Sequence, residues 1–249
     1  MHQLSVVIIT FNEERNIARC IDSVMDVADE ILVVDSFSTD HTETISREKG
    51  ARFIQRKWDD YSSQKNFANS QAQFQYILSI DADEALSEEL KISILDIKKN
   101  PLFDAYSMNR LTNYCGKWIH HCSWYPDRKL RLFNRDKGCW NGLIHEVISM
   151  DKDARFGFLH GDLLHYSYYT VEDHIRQANK FSEISAITLY EAGKKTNPIR
   201  VWFSFYIKFF RDYVVHRGFL DGKVGYDICL ISAKAARLKY TKLLQLRGK

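Results

Sequence analysis

The stretch that most constrains this chain is Tyr76–Glu84, whose sequence is YILSIDADE. Its first five residues form a short apolar run with β-branched and aromatic side chains, which predicts a buried strand. Asp81 and Asp83 follow where that strand would end, and open α/β sheets bind their ligands just beyond such ends. Two neighbouring acids repel each other, so a divalent cation that also holds a diphosphate would suit this position. The alternative is that both acids only cap a helix that starts near Ser87.

Further apolar runs alternate with helical patterns in the N-terminal part of the chain. They predict strands at Leu4–Thr10, Glu30–Val34 and Arg52–Ile54. Ser38 or Thr39 would cap the helix that follows the second strand. Strands that alternate with helices at this spacing predict an α/β fold with a mostly parallel, Rossmann-like sheet.

After residue 100 the pattern changes, because short strands follow one another without long helices between them. The predicted strands are Ala105–Leu111, Lys129–Phe133 and Leu143–Ile148. Strands joined without crossover helices pair in antiparallel fashion. We therefore expect a small antiparallel element that closes over the strand ends of the first half.

From Thr170 onward the pattern is helical. Thr170 and Asp173 form the sequence signature of a capping box, and Asn197-Pro198 is a strong helix start. We accordingly divide the chain into an N-terminal α/β domain, residues 1–168, and a C-terminal helical region, residues 169–249.

Charge is distributed unevenly along the chain. Residues 170–249 carry 15 Lys and Arg against 7 Asp and Glu, whereas residues 1–169 carry 20 against 25. A basic C-terminal region on an acidic body suggests a surface for anionic partners, and a solvated helical face is the alternative.

The helix that starts at Pro198 is unusually aromatic. Its large apolar side chains are Trp202, Phe203, Phe205, Tyr206, Ile207, Phe209, Phe210 and Tyr213. Aromatic and basic residues together favour a peripheral position on an anionic membrane. Packing against the N-terminal α/β domain or against a second subunit, as in a homodimer, is the alternative.

The chain shows no apolar run long enough for a signal-peptide core or a transmembrane helix. Its five cysteines are scattered and odd in number, which fits a reducing compartment. We therefore expect a cytoplasmic protein, either free or peripheral on the inner face of the cytoplasmic membrane.

The first loop of the predicted sheet, Phe11–Glu14, contains acids and no glycine. A Rossmann dinucleotide site needs glycines there, and no P-loop is present either. A bound nucleotide would thus be held by carboxylates and a metal ion. Nothing in the sequence points to a nucleic acid partner.

Three segments carry a resemblance to a known family. They are Ser5–Glu14, with the sequence SVVIITFNEE, Ile31–Thr42, with ILVVDSFSTDHT, and Ile80–Glu84, with IDADE. In this order and spacing they resemble the family 2 glycosyltransferases of the GT-A fold, over roughly residues 4–90. Among these, the lipopolysaccharide core transferases of the β-1,4-glucosyltransferase type look most similar, and Asn141–Glu146 also resembles that subgroup.

The resemblance implies a nucleotide site. Thr10 and Glu13 would lie beside the nucleoside, and Lys65 would meet the nucleotide. Asp35 would accept a hydrogen bond from the base, which suits the N3–H of uracil, although a guanine edge also satisfies a carboxylate. The chain departs from the family pattern after Asp35, where Phe37 stands in place of the usual glycine.

The resemblance also implies a divalent cation, Mg²⁺ or Mn²⁺. Asp83 would bind it directly, and Asp81 would serve the ribose or a metal-bound water. His165 is a further candidate ligand for the metal or a phosphate, and a structural histidine is the alternative. The cation would neutralise the leaving diphosphate.

An inverting transferase needs a base that takes the proton of the acceptor hydroxyl. Glu146 is the candidate, and its alternative role is a salt bridge with Arg128 or Arg131. Those two arginines would otherwise hold the diphosphate or an acceptor phosphate.

The activity implied is inverting transfer of a hexose from a nucleotide sugar, with UDP preferred. The acceptor would be a lipopolysaccharide core or another lipid-anchored saccharide. Transfer to a polyprenyl phosphate and a binding module that has lost catalysis remain the alternatives.

Overall fold

The computed structural model describes residues 2–142 and 146–247, which form two compact units. The first contains Met1–Arg110 and Asp127–Tyr166, and the second contains Leu111–Pro126 and Ser167–Lys249. The sequence division at residue 168 did not anticipate that the segment before Asp127 belongs with the C-terminal helices.

The strands belong mainly to one mixed sheet. In chain order they are β1 (Leu4–Thr10), β2 (Glu30–Asp35), β3 (Arg52–Gln55), β4 (Tyr76–Asp81), β5 (Glu84–Leu86), β6 (Ala105–Tyr114), β7 (Lys117–Ile119), β8 (Asp127–Asn134), β9 (Gly138–Asn141), β10 (Val147–Met150) and β11 (Phe156–Tyr168). The main sheet has the order β3-β2-β1-β4-β8-β6-β11-β5. β9 and β10 pair separately, and β7 pairs with the end of β6 in the second unit.

The sheet has a parallel half and an antiparallel half. β1 pairs in parallel with β2 and β4, and β2 does so with β3. β8 is antiparallel to β4 and β6, and β11 is antiparallel to β5. The predicted α/β fold with a C-terminal helical region is confirmed, and its antiparallel part is larger than expected. The predicted strand at 143–148 falls partly outside the described residues, which resume with Glu146 before β10.

Four helices accompany the sheet in the first unit. They are α1 (Ile17–Val24), α2 (Thr42–Glu48), α3 (Tyr61–Gln71) and α4 (Glu88–Lys99). The side chain of Ser87 caps α4 by accepting from the Leu90 amide, 3.2 Å, so Asp81 and Asp83 are not its caps. The prediction that Ser38 or Thr39 caps α2 is wrong, because α2 begins only at Thr42.

β1 is an interior strand between β2 and β4, and all seven of its residues are buried. Val6 and Ile8 pack in one hydrophobic cluster, and Val7 and Ile9 pack in the other. Successive side chains of a strand point to opposite faces, so this alternation shows that both faces of β1 are covered. The burial holds the carboxyl end of β1 in a fixed position, where the candidate site lies.

The second unit consists largely of three helices: α5 (Val171–Glu191), α6 (Pro198–Phe210) and α7 (Gly222–Arg247). The predicted capping box is present at α5, where Thr170 and Asp173 bond each other's backbone amides. The predicted Asn197 cap of α6 is also present, since its side chain accepts from the Arg200 amide at 2.8 Å.

α6 continues as a π-helical turn at Arg211–Val215, and a short 3-10 turn at Gly218–Asp221 precedes α7. Across the described residues, no helix combines the length and the apolar character that spanning a bilayer requires.

Candidate active site

The carboxyl ends of three adjacent parallel strands meet at one edge of the sheet. β1 ends at Thr10, which pairs with Asp35 at the end of β2, and Ile9 pairs with Asp81 at the end of β4. Thr10 and Asp35 are buried. Three of the residues singled out in the sequence are therefore held side by side.

Asp81 makes two ion pairs with buried bases. Its Oδ1 lies 3.1 Å from Nζ of Lys65, and its Oδ2 lies 2.9 Å from Nη2 of Arg131. The side chains of these bases are only 1% and 5% exposed. Burial of the Asp81 carboxyl raises its pKa, but Lys65 and Arg131 outweigh burial and hold the pKa well below its usual range. Asp81 is ionised, and each of its oxygens already has a charged partner.

Glu84 is the buried counter-ion of Arg131. Its Oε1 accepts from Arg131 Nη2 at 2.9 Å and from Arg110 Nη1 at 3.4 Å, and its Oε2 accepts from the Asp81 amide at 3.0 Å. Burial lowers the pKa of Arg131, but Glu84 and Asp81 overcome this and raise it. Sequence reasoning missed Glu84, although it closes the YILSIDADE stretch.

Arg131 reaches these acids through an irregularity in β8. Tyr106 pairs with Leu132 and Ser107 pairs with Leu130, which leaves Arg131 as the extra residue of a β-bulge. Bulges re-aim side chains next to functional sites. A phosphate-binding role for Arg131 stays a prediction: its Nη2 pairs with Asp81 and Glu84, whereas its buried Nε has no hydrogen-bond partner among the described residues.

Arg128 has a different environment from Arg131, although it lies on the same strand. Its side chain is exposed, and its guanidinium carbon lies 4.6 Å from the ring centroid of Phe158. It takes no part in the ion pairs of Asp81 that the structure describes.

Lys65 connects Asp81 with the candidate base, Glu146. Its Nζ lies 3.3 Å from Oε1 of Glu146 and 4.3 Å from the ring centroid of Trp140. Asn66, the next residue of α3, exchanges two hydrogen bonds of 2.8 Å with the backbone of Trp140. The ion-pair partner of Glu146 is thus Lys65 and not Arg128 or Arg131, which the sequence had offered as partners.

Asp83 and His165 are brought together, as the metal hypothesis requires. Nε2 of His165 lies 3.2 Å from Oδ2 of Asp83, whose side chain is 26% exposed. The backbone fixes this contact, because Tyr166 donates to the Asp83 carbonyl at 2.9 Å and His165 pairs with Glu84 between β11 and β5.

A divalent cation fits this pair as an open site. Within residues 2–142 and 146–247, no set of three or more His, Cys, Asp or Glu side chains is arranged to hold a metal ion. Mg²⁺ commonly binds through one or two protein carboxylates together with substrate phosphates and water. Asp83 and His165 can supply two ligands, whereas each oxygen of Asp81 already pairs with a base and keeps room only for a further hydrogen bond.

Glu13 faces the same acids from the first loop. Its Oε2 accepts from Asn16 at 2.7 Å. Burial raises the pKa of Glu13, Asn16 lowers it, and the charges of Asp83, Asp40 and Asp81 raise it further. A positive charge arriving near Asp83 would therefore also be favourable for Glu13.

The loop after β2 is held in an unusual conformation. Asp35 accepts from both the amide, 2.8 Å, and the hydroxyl of Ser38, which explains why Ser38 does not cap α2. Phe37 has φ +64° and Asn12 has φ +54°, a region that non-glycine residues rarely occupy. The rings of Phe37 and Phe11 are exposed beside the buried ends of β1 and β2. Such strained positions occur often at ligand sites.

Tyr61 lies close enough to the acids to feel their charges, and Trp58 packs against it; neither residue was predicted from sequence. Trp58 and Tyr61 form an edge-to-face pair with ring centroids 4.7 Å apart. Burial raises the pKa of Tyr61, and the charges of Glu146, Asp81 and Asp83 raise it further. The signal available in the sequence was the pair of aromatic residues at the start of α3.

A comparison with known families decides the class of protein. The model of "Glycosyl transferase family 2" matches residues 5–145, which include the strand ends and the loops described above. The chain belongs to glycosyl transferase family 2. Proteins of this class are enzymes, so the predicted transferase activity class is confirmed.

Relatives of this family 2 glycosyltransferase cover nearly its whole length. An uncharacterized glycosyltransferase of Rickettsia typhi is 34% identical, over 99% of this chain and 88% of the relative. The lipopolysaccharide core biosynthesis glycosyltransferase LpsC of Rhizobium meliloti is 29% identical, over 97% of this chain and 92% of the relative. The predicted resemblance to lipopolysaccharide core transferases is thereby confirmed.

Solved structures are more distant in sequence. The structure of S. aureus TarS 1-349 in complex with UDP has 14% identity and a TM-score of 0.47, over 99% of this chain and 92% of that chain.

Proposed function

We propose that this glycosyltransferase moves a hexose, with inversion, from a UDP-sugar to a lipopolysaccharide core or another lipid-anchored saccharide, and that it depends on Mg²⁺ or Mn²⁺. The observation that carries the proposal is the continuous line from Asp81 through Lys65 to Glu146 at the strand ends. It joins the acid that we expect beside the donor to the acid that we expect beside the acceptor, which supports the proposal. The similarity to LpsC supports the acceptor class.

The nucleoside would lie on the ends of β1 and β2. Asp35 already accepts from Ser38, but a carboxylate has about four lone-pair sites and can accept the N3–H of uracil as well. The buried hydroxyl of Thr10 has no hydrogen-bond partner among the described residues, so it is available to a ligand. These two groups support a uridine nucleotide.

Asp83 and His165 would hold the divalent cation. The cation would supply charge neutralisation for the diphosphate that leaves. Lys65 and Arg131 hold Asp81 ionised and oriented, so Asp81 can accept from a ribose hydroxyl or from water on the cation.

Glu146 would act as the general base. Its carboxylate is partly exposed and oriented by Lys65. The acceptor hydroxyl would give its proton to Glu146 while its oxygen forms a bond to the anomeric carbon. The bond from that carbon to the diphosphate breaks on the opposite side, which inverts the configuration. UDP leaves with the bonding electron pair.

A lipid-anchored acceptor would also require the enzyme to act at a membrane surface. We propose the inner face of the cytoplasmic membrane as that surface. A homodimer remains the alternative use of the C-terminal region.

The test uses the purified full chain with a panel of UDP- and GDP-hexoses and Mn²⁺. Protection against thermal unfolding would identify the donor, and transfer to extracted lipopolysaccharide core acceptors would then be followed by mass spectrometry. We expect transfer with a UDP-hexose that EDTA abolishes. Protection by donor with neither transfer nor donor hydrolysis would instead show a binding module that has lost catalysis.

A further inference from the structure

One side of α6 is an exposed apolar surface in the second unit. It consists of seven large side chains at helical spacing, here called the aromatic face: Ile199, Trp202, Phe203, Tyr206, Ile207, Phe210 and Val214. Each is between 45% and 69% exposed. Residues spaced by three and four positions lie on one side of a helix, so these side chains form a continuous stripe.

The opposite side of α6 explains why the aromatic face is outward. Phe209 and Tyr213 stack at 5.2 Å and both pack with their edges against Tyr226 of α7. They also contact the hydrophobic cluster around Ile228 and Cys229. The helix thus packs through partly buried side chains, none of its residues being fully buried, and the aromatic face is a separate apolar side that does not take part in this packing.

The size of the aromatic face is unusual for a monomer. Seven large side chains that are about half exposed present on the order of 700 Å². The largest apolar patch of a typical soluble monomer is about 300–600 Å², and patches of that size commonly bind a partner or a membrane. We therefore expect a partner or a membrane to cover the aromatic face.

The charged residues in the segment that contains the aromatic face indicate which kind of partner would bind there. The exposed basic residues of the segment 192–226 are Lys194, Lys195, Arg200, Arg211, Arg217 and Lys223. Its two acids, Asp212 and Asp221, are both buried. Asp212 is also neutralised by Lys208 at 2.6 Å and Arg211 at 3.2 Å. Within this segment, which is flanked by the exposed Glu191 and the half-buried Asp227, the exposed Lys, Arg, Asp and Glu residues are all basic.

We propose that the aromatic face docks onto an anionic lipid bilayer, with α6 lying in the plane of the interface. Aromatic and aliphatic side chains would enter the boundary between headgroups and acyl chains, and the flanking bases would contact anionic headgroups. A second copy of this chain fits less well, because a twofold contact would bring the same basic rim of both copies together.

The test measures sedimentation of the full chain with phosphatidylcholine vesicles that contain or lack phosphatidylglycerol. We expect binding to the anionic vesicles at low salt, with weaker binding at high salt because the headgroup attraction is screened. Equal binding to both kinds of vesicle, or none to the anionic ones, would overturn the proposal.

A matched pair of variants locates the contact. Ile207 is 63% exposed on the aromatic face, and Ile92 is 62% exposed on α4 of the first unit. We expect Ile207→Ser to weaken vesicle binding roughly tenfold, because one inserted aliphatic side chain is lost, and Ile92→Ser to leave it unchanged. Equal effects of the two substitutions would contradict the assignment.

Two readouts separate the bilayer from a second copy. Vesicles with brominated acyl chains should quench part of the tryptophan fluorescence, and Trp202→Phe should lose that part. Sedimentation velocity without lipid should show a monomer. A concentration-dependent dimer that Ile207→Ser dissociates would replace the bilayer with a second copy of the chain.

Discussion

Replacing Arg131 with methionine tests the charge network of the site most directly. The substitution keeps an unbranched apolar stem but removes the guanidinium that contacts Asp81 and Glu84, each at 2.9 Å. Glu84 would then retain only Arg110, at 3.4 Å, as a charged partner in the described part of the chain. Its side chain is fully buried, so it cannot turn to water for compensation.

The expected loss of stability follows from this geometry. Removing one partner of a buried ion pair typically costs about 3–5 kcal/mol, because the remaining charge is left uncompensated. Arg110 still contacts Glu84, and Asp81 keeps Lys65. We therefore expect a decrease of about 3 kcal/mol in the free energy of unfolding, at the lower end of that range.

The pH dependence supplies a second signature. In the wild type the pKa of Asp81 is depressed in the folded state, so this group contributes stability above its unfolded pKa and loses it on acidification. Without Arg131 the folded pKa of Asp81 should rise toward its ordinary value. The deficit of the variant should therefore be largest at neutral pH and become smaller only as the pH falls to about 4, the ordinary pKa of an aspartate.

Urea unfolding of both proteins at neutral and mildly acidic pH measures these quantities. Arg128→Met is the matched control, since Arg128 lies on the same strand but is exposed over Phe158. We expect the control to cost less than about 1 kcal/mol. Unchanged stability of Arg131→Met together with a raised KM for the donor would refute this reasoning and favour the predicted phosphate-binding role of Arg131.

Three further outcomes are expected at the site. Asp83→Asn should abolish cation-dependent transfer without loss of the fold, whereas Asp26→Asn, at an exposed acid, should retain cation-dependent transfer. Wild-type turnover of the Asp83→Asn variant would disprove the cation assignment. Glu146→Gln should lower kcat about 10²–10⁴-fold with little change in donor affinity, and Glu89→Gln should lower neither. Phe37→Gly should remove about 1 kcal/mol of strain from the left-handed backbone at this position, but the greater freedom of glycine in the unfolded chain largely offsets that gain. The thermal unfolding temperature should therefore shift little, whereas donor affinity should fall.

The parts of the site that could be predicted from the sequence depend on local patterns. The apolar runs that end at Thr10, Asp35 and Asp81 identify strands, and parallel strands present their carboxyl ends at one edge. The helix caps at Thr170 and Asn197 were likewise predicted, because capping is decided within a single turn. Each of these inferences needs only residues that are close in the chain.

The partners of the acids could not be predicted, because they depend on long-range geometry. Arg131 contacts Asp81 across 50 positions, and Lys65 contacts Glu146 across 81. The bulge that re-aims Arg131 leaves no mark in the alternating pattern of its strand. Ser38 shows a local failure of a different kind, since a short polar side chain can bond a neighbouring carboxylate instead of capping a helix.

The network also separates the roles of two acids that are nearly adjacent in sequence. Asp81 is the last residue of β4 and pairs with two buried bases, Lys65 and Arg131, which compensate its charge. Asp83 lies in the turn before β5 and faces His165, which is positive only when protonated. Glu13 adds to the negative potential there. The proposed divalent cation would therefore gain most at Asp83, while Asp81 would remain an oriented acceptor beside it.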